Sequence, residues 1–181
     1  NMSVTRTLFA LLLMLSLSLS FSAHALDVGD LAPDFDLPSS EGVNYRLSDF
    51  RGKQVVVLAW FPKALTYGCT QDCQSLAYNG DKIREFDVSY FMISVDPLRK
   101  NIEFAEKVRA DFPLLSDESK EVAKAYEVLN FFGLAKRYTF YIGKDGKILA
   151  IDRHINPSTS AEDMMAKLEQ LNVELVVTDS Q

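Results

Sequence analysis

Two cysteines are the residues of this chain with the most reactive side chains. Cys69 and Cys73 are its only cysteines, and they lie four positions apart in the segment GCTQDC, residues 68–73. A cysteine thiolate can attack a peroxide or a disulfide, and it can bind a soft metal such as Cu(I). The pair therefore predicts thiol chemistry, with redox and metal-binding functions both open at this point.

Other common active-site patterns are missing from the sequence. His154 is the one histidine downstream of an apolar N-terminal leader, so one histidine and two cysteines cannot supply the four ligands of a structural zinc site. The eight glycines form neither a dinucleotide-binding fingerprint nor a P-loop, and no serine lies in a G-x-S-x-G elbow. A net charge of −6 disfavours nucleic acid and anionic membranes, because both partners repel an acidic chain.

The cysteines follow a segment that is typical of a buried β-strand. Residues 54–61, QVVVLAWF, are apolar and rich in β-branched side chains, and Pro62 ends the run. From Cys69 onward the apolar spacing changes to three and four, which predicts one face of a helix. The residues that share this face are Cys73, Leu76, Gly80 and Ile83. Cys69 is therefore expected where a helix begins, beside unpaired N–H groups that stabilise a thiolate.

The rest of the chain alternates between strand and helix patterns. Strands are predicted over residues 88–95, 138–142 and 148–152, the last two joined by a turn that contains Asp-Gly. Helices are predicted over residues 117–126 and 161–171, and after Pro97 with Ile102, Ala105 and Val108 facing inward. This order predicts an α/β protein with a mixed central sheet, parallel central strands and helices on both faces. A thioredoxin-like fold has this plan.

The N-terminal 25 residues differ in kind from the rest. They hold one charge, Arg6, followed by an apolar run over residues 8–19 and the small-x-small sequence Ala23-His24-Ala25. The pattern predicts a cleaved secretory signal peptide, and the run is shorter than the ~20 apolar residues of a membrane span. Residues 26–181 are then expected to form a single exported domain.

The segment PKALTYGCT, residues 62–70, resembles the P-x-x-x-T-x-x-C pattern of the peroxiredoxins, and most closely that of their PrxQ (bacterioferritin comigratory protein) branch. Four other segments resemble family landmarks in the same order: residues 29–35, 93–96, 112–117 and 137–142. The resemblance covers nearly all of residues 27–172. It implies a thioredoxin-like fold and a thiol peroxidase that reduces hydrogen peroxide and organic hydroperoxides without a metal, haem or flavin.

The resemblance also implies roles for four residues. Cys69 corresponds to the peroxidatic cysteine that becomes a sulfenic acid, Thr66 to the threonine that hydrogen-bonds the peroxide, and Pro62 to the proline that shields the site. Arg137 corresponds to the arginine that reaches the thiolate. An arginine can donate to both the thiolate and a peroxide oxygen, so it stabilises the charge that develops as the O–O bond breaks. Replacing Arg137 with alanine is therefore expected to slow the reaction, with little change in folding.

Cys73 is the expected resolving cysteine, but it departs from the family pattern. In PrxQ proteins with a resolving cysteine on this helix, that residue usually lies five positions after the first, and proline often stands where this chain has Tyr67. On an intact helix the Cβ atoms of residues four apart are about 5–6 Å apart, whereas a disulfide needs about 3.5–4.5 Å. A Cys69–Cys73 disulfide therefore requires the first turn to unwind. The alternative is that Cys73 is a small core residue.

Two other functions fit parts of the pattern. Cys-x-x-x-Cys at this turn also resembles the Sco-type copper-binding metallochaperones, although that family has a histidine near the position of Arg137 and this chain has none there. A thiol-disulfide oxidoreductase of the same fold would prefer Cys-x-x-Cys, which is missing.

The peroxiredoxin interpretation implies particular partners and a location. The substrate is a hydroperoxide, and the reductant is a thioredoxin-like or other thiol donor. With a signal peptide, the protein is expected in the periplasm and its reductant outside the cytoplasm. We expect a monomer or weak homodimer that binds no nucleic acid and, after signal cleavage, no membrane.

Overall fold

A five-stranded mixed sheet forms the centre of the molecule. The structure, a computed structural model, describes residues 25–176, so nearly all of the predicted signal peptide lies outside the described residues. The sheet strands are β3 (Val55–Trp60), β4 (Val88–Ser94), β5 (Leu114–Ser116), β6 (Thr139–Ile142) and β7 (Ile148–Asp152), in the order β5-β4-β3-β6-β7. Strands β3, β4 and β5 are parallel, whereas β6 runs antiparallel to β3 and β7 antiparallel to β6. Before them, β1 (Asp36–Pro38) and β2 (Asn44–Arg46) form a separate antiparallel pair.

Strand β3 lies at the centre of the sheet, as its uninterrupted apolar sequence predicts. All six of its residues are buried, because layers of side chains cover both faces of the sheet. Val55, Val57 and Ala59 pack on one side with the two cysteines, and the alternate residues pack on the other side. The carboxyl end of β3 therefore leads directly to the cysteine segment.

Within the described residues, five α-helices cover the sheet unequally. They are α1 (Tyr67–Tyr78), α2 (Gly80–Ile83), α3 (Leu98–Val108), α4 (Glu121–Ala125) and α5 (Ser160–Gln170). The longer helices α1, α3 and α5 pack on the side of Val57, and α4 packs on the opposite side with the β1–β2 pair. The predicted α/β fold with helices on both faces is confirmed. Within residues 25–176 no helix has both the length and the apolar character needed to cross a membrane.

The predicted helical face that begins at Cys69 is confirmed, but the helix is interrupted. Cys69, Cys73, Leu76 and Ile83 are all buried, as the spacing requires. The chain leaves helical geometry at Asn79, whose side-chain amide donates to the carbonyl of Ser75 at 2.9 Å. An asparagine that bonds the backbone in this way competes with the regular helix, which separates α1 from α2.

The inward face of α3 differs from the prediction. The buried residues are Asn101, Phe104 and Val108, whereas Ile102 is only partly buried. The amide of Asn101 donates to the Leu115 carbonyl at 3.0 Å and to the Ser116 hydroxyl at 2.8 Å. Because these hydrogen bonds satisfy its amide group, Asn101 can lie in the core. Apolar spacing alone would place this polar residue on the surface.

Candidate active site

Cys69 lies in the first turn of α1, at the carboxyl end of β3. The helix begins at Tyr67 with Thr66 as its N-cap residue, so Cys69 is the third helical residue. The first N–H groups of a helix have no partner within the helix, and they favour negative charge nearby. Cys69 is only 1% exposed.

Arg137 reaches Cys69 from the segment just before β6. Its Nη2 donates to the Cys69 Sγ at 3.1 Å. The register of the sheet explains this contact, because Ala59 pairs with Thr139 and the Trp60 N–H donates to the Tyr138 carbonyl at 2.8 Å. Arg137, two residues before Thr139, therefore lies just beyond the end of β3, where α1 begins.

Asp72 is a component of the site that the sequence analysis did not single out. Its side chain is 4% exposed, and its Oδ2 accepts a hydrogen bond from Nη1 of Arg137. Burial raises the pKa of Asp72, and the charge of Arg137 opposes that rise. Its position three residues after Cys69 places it on the same side of the helix, and this spacing is the sequence signal that could have identified Asp72 as a site residue. Its partner, however, is 65 residues away in the chain.

The Asp72–Arg137 pair changes the expectation for Arg137→Ala. Burial lowers the pKa of Arg137, but Asp72 and Cys69 outweigh this effect and the net direction is upward. The guanidinium is thus held in its charged form between two acidic groups. Removing it would leave the buried carboxylate of Asp72 without a cation, which is strongly destabilising. This geometry therefore leads us to expect a loss of stability in Arg137→Ala, in place of the small change in folding that the sequence alone predicts.

The loop from Pro62 to Thr66 connects β3 to α1. The Thr66 hydroxyl donates to the Lys63 carbonyl at 2.9 Å, which leaves its oxygen lone pairs free to accept a bond from a substrate. Leu65 has a φ of 65°, a conformation that costs a residue with a side chain about 1–2 kcal/mol. The Ala64 N–H donates to the carboxylate of Asp96 at 2.9 Å, so the end of β4 helps hold this strained loop in place.

Cys73 is fully buried on the same face of α1 as Cys69. Both cysteines are free thiols, and α1 is continuous between them. Burial raises the pKa of Cys73 well above its usual range, and the charges of Asp72 and Cys69 raise it further. Cys73 is therefore a protonated thiol in this conformation, and a protonated thiol is a poor nucleophile.

Helix α5 packs against the part of α1 that contains the cysteines. The N–H of Ala161, in the first turn of α5, donates to the Ser75 hydroxyl at 3.1 Å. The Ser160 hydroxyl donates to the Asp72 carbonyl at 3.4 Å. Any unwinding that brings the two cysteines together must therefore rearrange contacts between α1 and α5.

The structure does not favour a metal site near the cysteines. Among residues 25–176, no three His, Cys, Asp or Glu side chains are grouped so that they could hold a metal ion. His154 instead lines a cavity with Asp152, Asp163 and Lys167. The Cys69 sulfur accepts a hydrogen bond from the Arg137 guanidinium, and a guanidinium cannot bind a metal.

Comparisons with known proteins agree with this arrangement. Residues 28–151 match the model of the AhpC/TSA family. The chain is 39% identical over 132 residues to the Escherichia coli K12 protein named peroxiredoxin Bcp, covering 69% of this chain and 84% of that protein. It is similar to the crystal structure of peroxidoxin BcpB from Mycobacterium tuberculosis, with 35% identity, a TM-score of 0.73, and coverage of 80% of this chain and 97% of that one. A PrxQ structure from Xylella fastidiosa, with 24% identity and a TM-score of 0.74 over 82% of this chain and 98% of that one, shares the fold.

Proposed function

We propose, from the premise that this chain belongs to the AhpC/TSA family of peroxiredoxins, that Cys69 is its peroxidatic cysteine. As a peroxiredoxin, the chain is a thiol peroxidase that reduces a hydroperoxide with electrons from a thioredoxin-like reductant. The observation that carries the assignment is the contact between Arg137 Nη2 and Cys69 Sγ, at 3.1 Å, in the first turn of a helix. The Sco-type copper alternative finds no support in the comparisons.

The geometry supports a direct displacement on the peroxide. The Cys69 thiolate attacks the terminal peroxide oxygen, the O–O bond breaks, and the other oxygen leaves as hydroxide or alkoxide and takes up a proton. Cys69 is then a sulfenic acid. Arg137 can donate to the thiolate and to the oxygens that gain charge, while the Thr66 oxygen can accept the peroxide O–H. Pro62, half-buried two residues after β3, is the residue that the family resemblance assigns to shielding the site from water.

We propose that Cys73 resolves the sulfenic acid after the first turns of α1 unwind. The Cys73 sulfur attacks the Cys69 sulfur, hydroxide leaves and is protonated to water, and a Cys69–Cys73 disulfide forms. The two thiols lie four residues apart on one face of α1, where Cβ atoms are about 5–6 Å apart. A disulfide needs about 3.5–4.5 Å, so the helix must open for them to bond. Active-site segments often open locally at low free energy, which makes this step accessible.

Mass spectrometry after one equivalent of hydrogen peroxide tests both proposals. The wild-type monomer should lose about two hydrogens, since two thiols become one disulfide, and its far-ultraviolet circular dichroism should show partial loss of helix. Cys73→Ser should instead gain oxygen at Cys69, and Cys69→Ser should remain unmodified. Oxygen on wild-type Cys69 with Cys73 still a free thiol would contradict the resolving role and leave the peroxidatic role intact. An unmodified Cys69 would contradict both roles.

The resolving step should accelerate as the pH rises from about 6 to about 9. Burial holds Cys73 protonated in the closed helix, so it can react only after opening restores the ordinary thiol pKa of about 8.5. The thiolate fraction of the opened segment then increases across this range. Stopped-flow fluorescence of the buried Trp60, the single tryptophan of the chain, can follow the step after a peroxide pulse. A rate that does not depend on pH would argue against Cys73 as the nucleophile.

We also propose that residues 1–25 are a signal peptide and that the protein acts in the periplasm. The support is the sequence pattern of one early charge, an apolar run and a small-x-small site. The reductant would then be an extracytoplasmic thiol donor, and an oxidising compartment allows a Cys69–Cys73 disulfide to persist until it arrives. Protein recovered from the cytoplasm with residues 1–25 still attached would contradict this location.

A further inference from the structure

A pair of exposed phenylalanines lies between α4 and Arg137. Phe131 is 97% exposed and Phe132 is 81% exposed. Their rings meet edge to face, with centroids 5.6 Å apart. Single apolar residues are common on protein surfaces, but two adjacent aromatic side chains that are this exposed form an apolar patch that suits an interaction site.

The turn that carries the phenylalanines is well ordered by hydrogen bonds. Leu129 pairs with Ala135 at its base, and the Asn130 N–H donates to the Leu134 carbonyl at 2.8 Å. The side-chain oxygen of Asn130 accepts bonds from the N–H groups of Phe132, at 2.9 Å, and Leu134, at 3.1 Å. We call residues 129–135 the aromatic turn. Because its backbone is already fixed, a partner that binds it loses little conformational entropy.

A short stretch of chain connects the aromatic turn to the arginine that contacts the reactive cysteine. Phe132 and Arg137 are five residues apart, so their Cα atoms are separated by at most about 18 Å. Arg137 in turn contacts the Cys69 sulfur. The first turn of α1 presents another exposed aromatic side chain, Tyr67, two residues before Cys69. A protein large enough to deliver a thiol to this site would therefore reach the aromatic turn as well.

Three basic side chains lie against the aromatic turn or the segment that follows it. Within residues 25–176, Lys120, Lys136 and Arg153 make no ion pair with a carboxylate. The Lys120 ammonium lies against Gly133 of the turn. Lys136 and Arg153 lie over the ring of Tyr138, 5.6 and 5.8 Å from its centroid. In a chain with a net charge of −6, this local positive charge favours a partner with an acidic rim.

We propose that the aromatic turn, together with Lys120, Lys136 and Arg153, is the docking surface for the protein reductant. The partner would be a dithiol protein of the thioredoxin type, with an apolar groove for Phe131 and Phe132 and carboxylates at its rim. This inference rests on the proposed function, because the reductant is needed only when oxidised Cys69 must be restored. Docking is useful here because Cys69 is 1% exposed and Cys73 is fully buried in the closed helix, so the reductant must reach the disulfide while α1 is still unwound.

The redox step at this surface balances as a thiol–disulfide exchange. A thiolate of the partner attacks one sulfur of the Cys69–Cys73 disulfide and forms a mixed disulfide, releasing the other cysteine. The second thiol of the partner then attacks the mixed disulfide. Cys69 and Cys73 leave as thiols, and the partner leaves as a disulfide that has lost two electrons.

The test is the double variant Phe131→Ala/Phe132→Ala, oxidised with hydrogen peroxide and then reduced either by a bacterial thioredoxin or by dithiothreitol. Loss of two exposed aromatic anchors should lower the second-order rate constant for thioredoxin by about tenfold or more. Oxidation by peroxide and reduction by dithiothreitol should match the wild type. Tyr78→Ala is the matched control, because Tyr78 is also 81% exposed but lies at the other end of α1. Its thioredoxin kinetics should be those of the wild type.

Lys120→Glu/Lys136→Glu should slow reduction by thioredoxin and weaken its dependence on salt. The proposal is overturned if the phenylalanine variant reacts with thioredoxin at the wild-type rate, or if thioredoxin reduces the wild type no faster than dithiothreitol does at equal concentration. It is also overturned if the variant loses only a homodimer seen in sedimentation. Failure of the proposed function itself would be seen earlier, as a wild-type protein that peroxide does not oxidise.

Discussion

Replacing Arg137 with alanine should slow the oxidation of Cys69 by hydrogen peroxide by about 10²–10³-fold, the usual effect of losing one preorganised donor. The reason is that Nη2 of Arg137 donates directly to the Cys69 sulfur and, in the proposed mechanism, also donates to the oxygen that gains charge. Arg137→Lys keeps the charge but loses the planar fork that also holds Asp72, so it should recover only part of the rate. Stopped-flow kinetics under pseudo-first-order peroxide measure each second-order rate constant.

The same substitution should lower the free energy of unfolding by about 3–5 kcal/mol, because it leaves a buried carboxylate without its partner. Adding Asp72→Asn to Arg137→Ala removes the uncompensated charge, so the double variant should regain stability while its reaction with peroxide stays slow. Urea denaturation measures the stability of both variants. If the rate returned together with the stability, Arg137 would act by supporting the fold and not by contacting the reacting atoms.

Cys69→Ser should abolish peroxidase turnover, because a serine hydroxyl is not ionised near neutral pH and cannot serve as the nucleophile. Cys73→Ser should behave differently. It should retain the first reaction with peroxide at the wild-type rate and lose the turnover that depends on an intramolecular disulfide. Peroxide consumption in single-turnover and steady-state assays separates the two cases. A Cys69→Ser protein that still consumes one equivalent of peroxide would remove Cys69 from the reaction.

Much of the fold followed from local patterns. The apolar run before Pro62 predicted β3, and the change in spacing at Cys69 predicted the buried face of α1. The Asp-Gly signal predicted the turn between β6 and β7, where Gly146 has a φ of 83° that suits glycine. These predictions succeed because side-chain direction repeats every two residues in a strand and about every 3.6 in a helix.

Other features could not be read from local spacing. Asn101 occupies a core position because Leu115 and Ser116 satisfy its amide, and those partners come from another strand. Phe131 and Phe132 are large and apolar, as core residues usually are, and are nevertheless exposed. In each case the rest of the fold decides whether the side chain is buried, so local spacing cannot predict it.

The sequence by itself determined the kind of chemistry, since the only two cysteines follow a buried strand and begin a helix, in a segment that resembles the peroxiredoxin pattern. The resemblance also pointed to Arg137, but only the tertiary structure shows how Arg137 reaches Cys69 and that Asp72 lies against it. That contact depends on β6 lying antiparallel beside β3, in the register that pairs Ala59 with Thr139. Strand order and register follow from the packing of the whole sheet, and a charge 65 residues away can act on Asp72 only after that packing is complete.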